Sequence, residues 1–337
     1  MVTGPMDRTE LEFHADTSGT FPMTWGQQDF WRKKIRPYGD ASWHFNLHMF
    51  IDLPDDIAAD QAMVAAALRR LVERNEVLRT HFLDGPKGLL QRVARTGTIS
   101  LLVCQAPQEA SRDRAEALGA ELAAAPFNLE AEWGIRFALV CAGQAPRYLA
   151  FAVSHVVADG GGILALLTDF VGLLRAQGGG SEPDLPWQPA DQVHREQSER
   201  DIRRNKAAVR YWRKQLERMP PSVFPWAVPP QEPRFHRLRP ESRALGVAAA
   251  RLAAGCQVSV PSALLAGAAL ALTGQPTCVL VVVAGNHYDA DMRAMVRAAS
   301  QDGLLVADLN GETVAEAVRA VHGSITAALF YGHYDPA

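Results

Sequence analysis

The chain is poor in the residues that mark several large protein classes. Its four cysteines, Cys104, Cys141, Cys256 and Cys278, are scattered, with no CxxC pair and no cysteine–histidine spacing. Neither a zinc centre nor a disulfide framework is expected, and buried free thiols in a reducing compartment are. An excess of one charge is also missing: 34 Lys and Arg against 37 Asp and Glu leave a net charge of −3 at pH 7. Without a basic surplus, nucleic acid is not the expected ligand. The longest apolar run, from Ser262 to Leu272, is shorter than a bilayer span and reads as a core helix. The first residues are polar and acidic through Ser18, with no charged-then-apolar signal segment. A cytoplasmic protein without membrane association is the expectation. No GxGxxG follows a strand-like run, which excludes a dinucleotide-binding fold.

What remains is an ordinary globular composition, 48% hydrophobic and 21% charged over 337 residues, a length that suggests two domains. Residues 1–20 read as a loose arm. Thr24 is a candidate N-cap for a helix through Trp31. Ser42–Leu53 alternates as a strand, and Met63, Ala67, Leu71 and Leu78 fall on one face of a helix over Ala58–Leu78. At its end Glu76 and Arg79 read as a solvated ion pair. Leu89–Val103 reads as paired strands and Arg112–Ala125 as an alanine-rich helix. Strands over Ile135–Val140 and Arg147–Val153 follow, then a leucine-rich helix over Ile163–Ala176. Gln177–Pro186 mixes glycine and proline and is the clearest linker. Beyond it come a long charged helix (Asp191–Leu216), a proline-rich passage (Pro220–Pro240), a short strand near Ala244–Gly246, and an apolar helix opening near Ser259. A buried β-branched strand (Cys278–Ala284) and a last helix (Glu312–Leu329) complete the pattern. It predicts an α/β protein of mixed sheets flanked by helices.

The stretch with chemical content is Phe151 to Gly162. A buried strand stops at His155, Asp159 lies four residues on, and Gly160, Gly161 and Gly162 lead into a helix. A titratable imidazole at a strand end, before a tight glycine turn, suits a general base presented to a cleft. The same residues also suit a hydrogen-bonded structural histidine ahead of a flexible turn.

Ser154-His155-Val156-Val157-Ala158-Asp159-Gly160 resembles the HHxxxDG signature of the condensation domains of nonribosomal peptide synthetases and related acyltransferases. Ser154 replaces the first histidine, and His155 matches the second. Arg74 to Phe82 resembles the family's RHExLRTxF segment, with Asn75 where a histidine is usual. Tyr211-Trp212 with Leu216 resembles its YWxxxL segment, and Asn286-His287 its Asn-Arg turn. The resemblance implies two chloramphenicol-acetyltransferase-like lobes forming a V. The N-terminal lobe would span 21–176, a linker 177–190, and a C-terminal lobe 191–337 that is incomplete relative to the family. Carrier-bound substrates would enter the cleft from opposite faces and meet at the histidine.

Under that resemblance His155 is the catalytic base or amine-positioning group. Ser154, Asp159, Gly160 and Gly161 form the supporting motif, and the glycine N–H groups lie near the oxyanion. Asp159 is structural and pairs across the lobes with His287, where relatives carry an arginine. Further departures are Gly161, where a tryptophan is common, and 294–306, which lacks the family's Gly-x-Phe-Val-Asn-Thr run. No bound cofactor or metal is expected. The phosphopantetheine arm would arrive on a carrier protein, with carrier proteins or other synthetase modules acting in trans and an acyl or aminoacyl small molecule as substrate. The implied reaction is amide or ester formation. A catalytically degenerate recruitment module and a free-standing acyltransferase using CoA thioesters are the alternatives.

Overall fold

The computed structural model describes residues 6–86, 88–143, 145–220, 241–273, 276–311 and 313–337. The chain divides into two compact units. Unit 1 comprises residues up to Asp201 together with Gly285–Ser300 and Asp335–Ala337, and unit 2 comprises Ile202–Ala284 and Gln301–Tyr334.

In chain order, unit 1 begins with strands β1 (Met6–His14) and β2 (Gly19–Pro22) and helix α1 (Trp25–Phe30). Helix α1 runs on through a wider turn (Trp31–Ile35) into the short α2 (Arg36–Tyr38). Strand β3 (Leu47–Asp52), α3 (Gln61–Arg74), β4 (Thr80–Gly85), β5 (Gly88–Val93) and β6 (Thr96–Ala106) follow. Next come α4 (Ser111–Ala123), β7 (Ile135–Ala142), β8 (Ala145–Val153), α5 (Gly160–Gln177) and α6 (Pro189–Glu196). Helix α7 (Glu199–Arg218) enters unit 2, which holds α8 (Arg243–Cys256), α9 (Val260–Thr273) and β9 (Thr277–Ala284). The chain then returns to unit 1 for α10 (Ala290–Arg293) and finishes with β10 (Gln301–Asp308) and α11 (Val314–Phe330) in unit 2.

The main sheet of unit 1 has the order β1-β6-β7-β8-β3. It is mixed, because β6 and β7 run parallel while the other pairs are antiparallel. Alternation explains why β7 and β8 are apolar on both faces. Phe137, Leu139, Leu149 and Phe151 join the larger core with residues of α3 and α5, whereas Ala138, Val140 and Ala150 join a smaller one with Ala115 and Leu118 of α4. Each large side chain buried there contributes roughly 1.5–3 kcal/mol. A second sheet, β2-β5-β4, lies in the same unit.

Several sequence expectations are corrected. Residues 1–20 are not a loose arm where described: β1 pairs with β6 from Met6↔Cys104 to His14↔Thr96, burying Leu11 and Phe13. Arg79 fixes the following turn by donating to the Thr17 carbonyl (2.8 Å) and hydroxyl (2.7 Å). Glu76 and Arg79 are both buried rather than solvated, and the Arg79 guanidinium binds carbonyls of Glu73, Thr17 and Ala94. Strands β5 and β6 belong to different sheets and do not pair. The 191–216 helix is broken at Gln197–Ser198 into α6 and α7. The glycine–proline linker stays on unit 1, where Arg70 pairs with Glu182 and Arg74 donates to the Pro183 (3.0 Å) and Asp184 carbonyls. The unit division falls at 201/202 instead.

In unit 2, β9 and β10 pair antiparallel, and residues of α8, α9 and α11 complete a core around Leu305, Val318 and Val321. Ala244–Gly246 is helical rather than a strand, within α8 and capped by Ser242. Strand β9 and helix α9 are not buried all round: Val281 and Val283 of β9 are exposed, as is Leu264 of α9. The proline-rich passage at 221–240 lies outside the described residues. Among the described residues no single helix is long and apolar enough to cross a membrane.

Candidate active site

Strand β8 delivers its last residue, Val153, into the core, and the chain then turns. The Ser154 N–H donates to the Gly134 carbonyl (2.8 Å), and the Ser154 carbonyl accepts from the Val157 N–H (2.9 Å). Ser154 is buried. His155 occupies the outer position of this turn and is half-buried, whereas Val156, Val157 and Ala158 are wholly buried.

The imidazole of His155 lies parallel to the ring of Phe30 in α1, with centroids 4.5 Å apart and planes 10° apart. Its Nδ1 is buried and has no hydrogen-bond partner among the described residues. Burial pushes the imidazole below its ordinary value, outweighing the smaller upward pulls of its own backbone and of Asp159. The ring is therefore neutral near pH 7. Phe30 was not distinguished within the Thr24–Trp31 segment by the sequence, although the Thr24 cap was. Thr24 Oγ1 accepts from the Gln27 N–H (3.4 Å), and Gln27 Oε1 accepts from the Thr24 N–H (2.8 Å).

Asp159, only 1% exposed, is the N-cap of α5. Its Oδ1 accepts from the Gly162 N–H (2.9 Å) and His287 Nε2 (3.0 Å). Its Oδ2 accepts from the Ala299 N–H (2.9 Å), the Ser300 N–H (2.7 Å) and Ser300 Oγ (2.6 Å). Burial opposes ionisation, but the hydrogen bond and charge of His287, then Ser300 and Gly162, outweigh it and hold the carboxyl far below the usual range. Both oxygens of Asp159 are thus engaged by Gly162, His287, Ala299 and Ser300, and none of these donors is His155. The Asp159–His287 pair lies within unit 1, so the expected pairing across lobes is corrected to one inside a single unit.

Gly160 and Gly161 are the first residues of α5, and Gly160 is exposed. A Cβ on Gly161 would lie 2.4 Å from His287 Nε2, and one on Gly162 2.2 Å from the Arg297 carbonyl oxygen. The missing side chains make room for the returning 285–300 segment.

That segment carries residues the sequence did not single out. Arg297 is 3% exposed and donates to Gln192 Oε1 (3.0 Å) and the Asn286 carbonyl (2.7 Å). Gln192 Nε2 donates to Glu196 Oε1 (2.7 Å), and Glu196 Oε2 accepts from the Trp25 N–H (3.0 Å). Burial pushes Glu196 up to about 8 and Arg297 down to about 10. A charged residue inside the apolar run Met295-Val296-Arg297-Ala298-Ala299 was the available signal, since an isolated arginine there has no solvent side.

Glu196 yields a pH prediction. Between its ordinary 4.5 and about 8 the unfolded chain releases this proton while the fold retains it, so its contribution to stability declines as pH rises through that window. Glu196→Gln is expected to flatten this decline. Urea midpoints at about pH 5 and about pH 8 measure it, and an unchanged difference between them would refute the assignment.

Among the described residues a cavity of about 730 Å³ lies on unit 1, lined by Leu164, Leu167, Val171, Pro183, Pro186 and Arg293 among others, and it shares no residue with the 154–162 turn. Nor is there, among the described residues, a cluster of His, Cys, Asp or Glu able to hold a metal ion.

Comparison with known proteins bears on the fold. The family model described as Condensation domain matches residues 18–275. The protein described as probable non-canonical nonribosomal peptide synthetase CymA, of Salinispora arenicola, is 30% identical over 238 residues, 68% of this chain and 3% of that protein. The beauvericin nonribosomal cyclodepsipeptide synthetase of Beauveria bassiana is 30% identical over 49% of this chain and 5% of its own length. The chain thus spans only a small part of these curated relatives. Among solved structures, SgcC5 from Streptomyces globisporus superposes with a TM-score of 0.74 at 17% identity, covering 92% of this chain and 74% of that one. The first condensation domain of the CDA synthetase superposes with a TM-score of 0.73 at 19% identity, covering 94% and 76%. The teicoplanin X-domain, in a complex with OxyB, gives a TM-score of 0.70 at 22% identity, covering 94% and 72%. These likenesses fix the fold.

Proposed function

The chain belongs to the condensation-domain family, and on that premise we propose that it transfers an acyl or peptidyl group from a carrier-bound thioester to an amine or hydroxyl, with His155 as the base. The observation that carries this reading is the state of His155: half-buried, neutral near pH 7, and stacked on Phe30 so that its orientation is set. Nδ1 is buried, so the proton transfer is assigned to Nε2. The nucleophile's nitrogen or oxygen attacks the thioester carbon and its proton passes to Nε2. The C–S bond then breaks, and the proton returns to the leaving sulfur. General-base catalysis of this kind contributes roughly 10²–10⁴ in rate, and holding the reactants aligned contributes more. The N–H groups of Gly160 and Gly161 at the start of α5 are available to a developing oxyanion. The phosphopantetheine arm comes with a carrier protein or neighbouring synthetase module as part of the substrate. A CoA thioester offers the same arm and is the variant to test beside it.

A second reading, recruitment without catalysis, draws on the replacement of the first motif histidine by Ser154 and on the neighbouring fold of an X-domain found in complex with OxyB. One experiment separates the two. Acyl-loaded carrier or acyl-CoA is mixed with an amine acceptor, and released thiol and product are followed for wild type and His155→Ala. The base reading expects at least about a hundredfold loss. Equal turnover above the uncatalysed rate in both proteins would remove His155 as the base, and none in either would leave the recruitment reading.

A further inference from the structure

Arg297 is a buried cation that the mechanism does not use. Among the described residues no carboxylate lies within ion-pair distance of it; its partners are an amide oxygen and a backbone carbonyl. Burying a charge this way is costly, so its contacts should serve some purpose.

They lead to both supports of His155. Through its side chain, Arg297 holds Gln192, Gln192 holds Glu196, and Glu196 holds the N–H of Trp25, the first residue of α1. The last residue of that helix is Phe30, whose ring lies on the imidazole. Helix α1 also rests directly on the segment, because a Cβ on Gly26 would lie 2.5 Å from the Ala298 carbonyl oxygen and 2.9 Å from Ala299 Cα. Through its backbone, the Arg297 carbonyl accepts from the Asp159 N–H (3.1 Å), at the end of the turn that His155 opens.

We propose that Arg297 is a positioning residue for His155, holding the Phe30 side of the ring through Gln192 and Glu196 and the Asp159 side through its main chain. This rests on the reading of His155 as the working base, but its test does not require turnover. Arg297→Met keeps the backbone contacts and severs the side-chain chain. Helix α1 then loosens and Phe30 no longer shields the ring, which lets water reach the imidazole and favours protonation of His155.

The experiment uses the full chain with labelled histidine. Imidazole C–H shifts are followed against pH by NMR, and His155 is assigned with His155→Gln. In Arg297→Met and Gln192→Leu the His155 midpoint is expected to rise by about half a pH unit or more, and in Arg297→Lys, which keeps a donor for Gln192, by much less. His81 is the internal control. It stacks on Trp133 in the same unit, burial likewise lowers it, and it makes no contact with the Arg297 chain, so it should stay put. An unmoved His155 midpoint in the folded variants overturns the proposal, as does a rise shared equally by His81, which would mean general loosening of unit 1. If Arg297→Met does not fold, Gln192→Leu decides by the same criteria. A selective rise in a protein that forms no product supports the positioning role while refuting His155 as a working base.

Discussion

Asp159→Ala is expected to destabilise unit 1 by roughly 3–5 kcal/mol, the range for removing one member of a buried charged network. The carboxylate accepts from three backbone N–H groups, from the Ser300 hydroxyl and from His287, and alanine leaves all five donors facing a void. Two parts of the chain far apart in sequence lose their joint: the N-terminus of α5 and the 297–300 stretch. Urea unfolding followed by tryptophan fluorescence in a Trp212→Phe, Trp226→Phe background, which leaves Trp25, Trp31, Trp43, Trp133 and Trp187, reports on unit 1. A loss below about 1 kcal/mol would mean that the network contributes little. Asp159→Asn should not rescue, because its amide turns a donor toward donors. The acid limb gives the same answer by another route. The folded carboxyl is held far below its ordinary value, so its contribution is complete above about pH 4 and is lost as pH falls below it. In Asp159→Ala this part of the acid dependence should be missing.

The parts of this fold that the sequence discloses are those whose cause is local. The apolar run ending at Val153, the leucine stripe of α5 and the Thr24 cap each follow from neighbours within a few residues. Strand β1 was missed because Asp7, Arg8, Glu10 and Glu12 give it the composition of a tail. An edge strand needs only occasional buried positions, and Leu11 and Phe13 suffice. The glycine–proline linker was misread for a related reason: composition reports stiffness, whereas attachment depends on Arg70 and Arg74, more than a hundred residues earlier.

The candidate site divides the same way. His155 and Asp159 were legible from the motif, but Phe30, Gln192, Glu196 and Arg297 reach the site only through tertiary contacts. Two of the departures from the family pattern also prove to be one physical arrangement. Gly161 has no side chain where the family often has tryptophan, and the ring of His287 fills the space that a Gly161 Cβ would enter. The shorter histidine therefore lies close enough to bond Asp159 at 3.0 Å.

That arrangement predicts an order of stability along the glycine triplet. Gly162→Ala should be the most damaging, because its Cβ would lie 2.2 Å from the Arg297 oxygen and 2.8 Å from the Arg297 nitrogen, both backbone atoms. Either the Asp159 N–H to Arg297 carbonyl bond breaks or the segment recoils, and overpacking of this kind costs roughly 1–3 kcal/mol or more. Gly161→Ala meets only the His287 ring, which can rotate away at the expense of its hydrogen bonds to Asp159 and the Met292 carbonyl, so its cost should be about 1–2 kcal/mol. Gly160→Ala meets nothing within 4 Å and lies at the exposed start of α5, so the higher helix propensity of alanine should leave it neutral or more stable by up to about 1 kcal/mol. Urea midpoints of the three variants test the ranking. If Gly162→Ala unfolds at the same urea concentration as Gly160→Ala, the 285–300 segment is not seated on the start of α5, and the support assigned to His155 from that side falls with it.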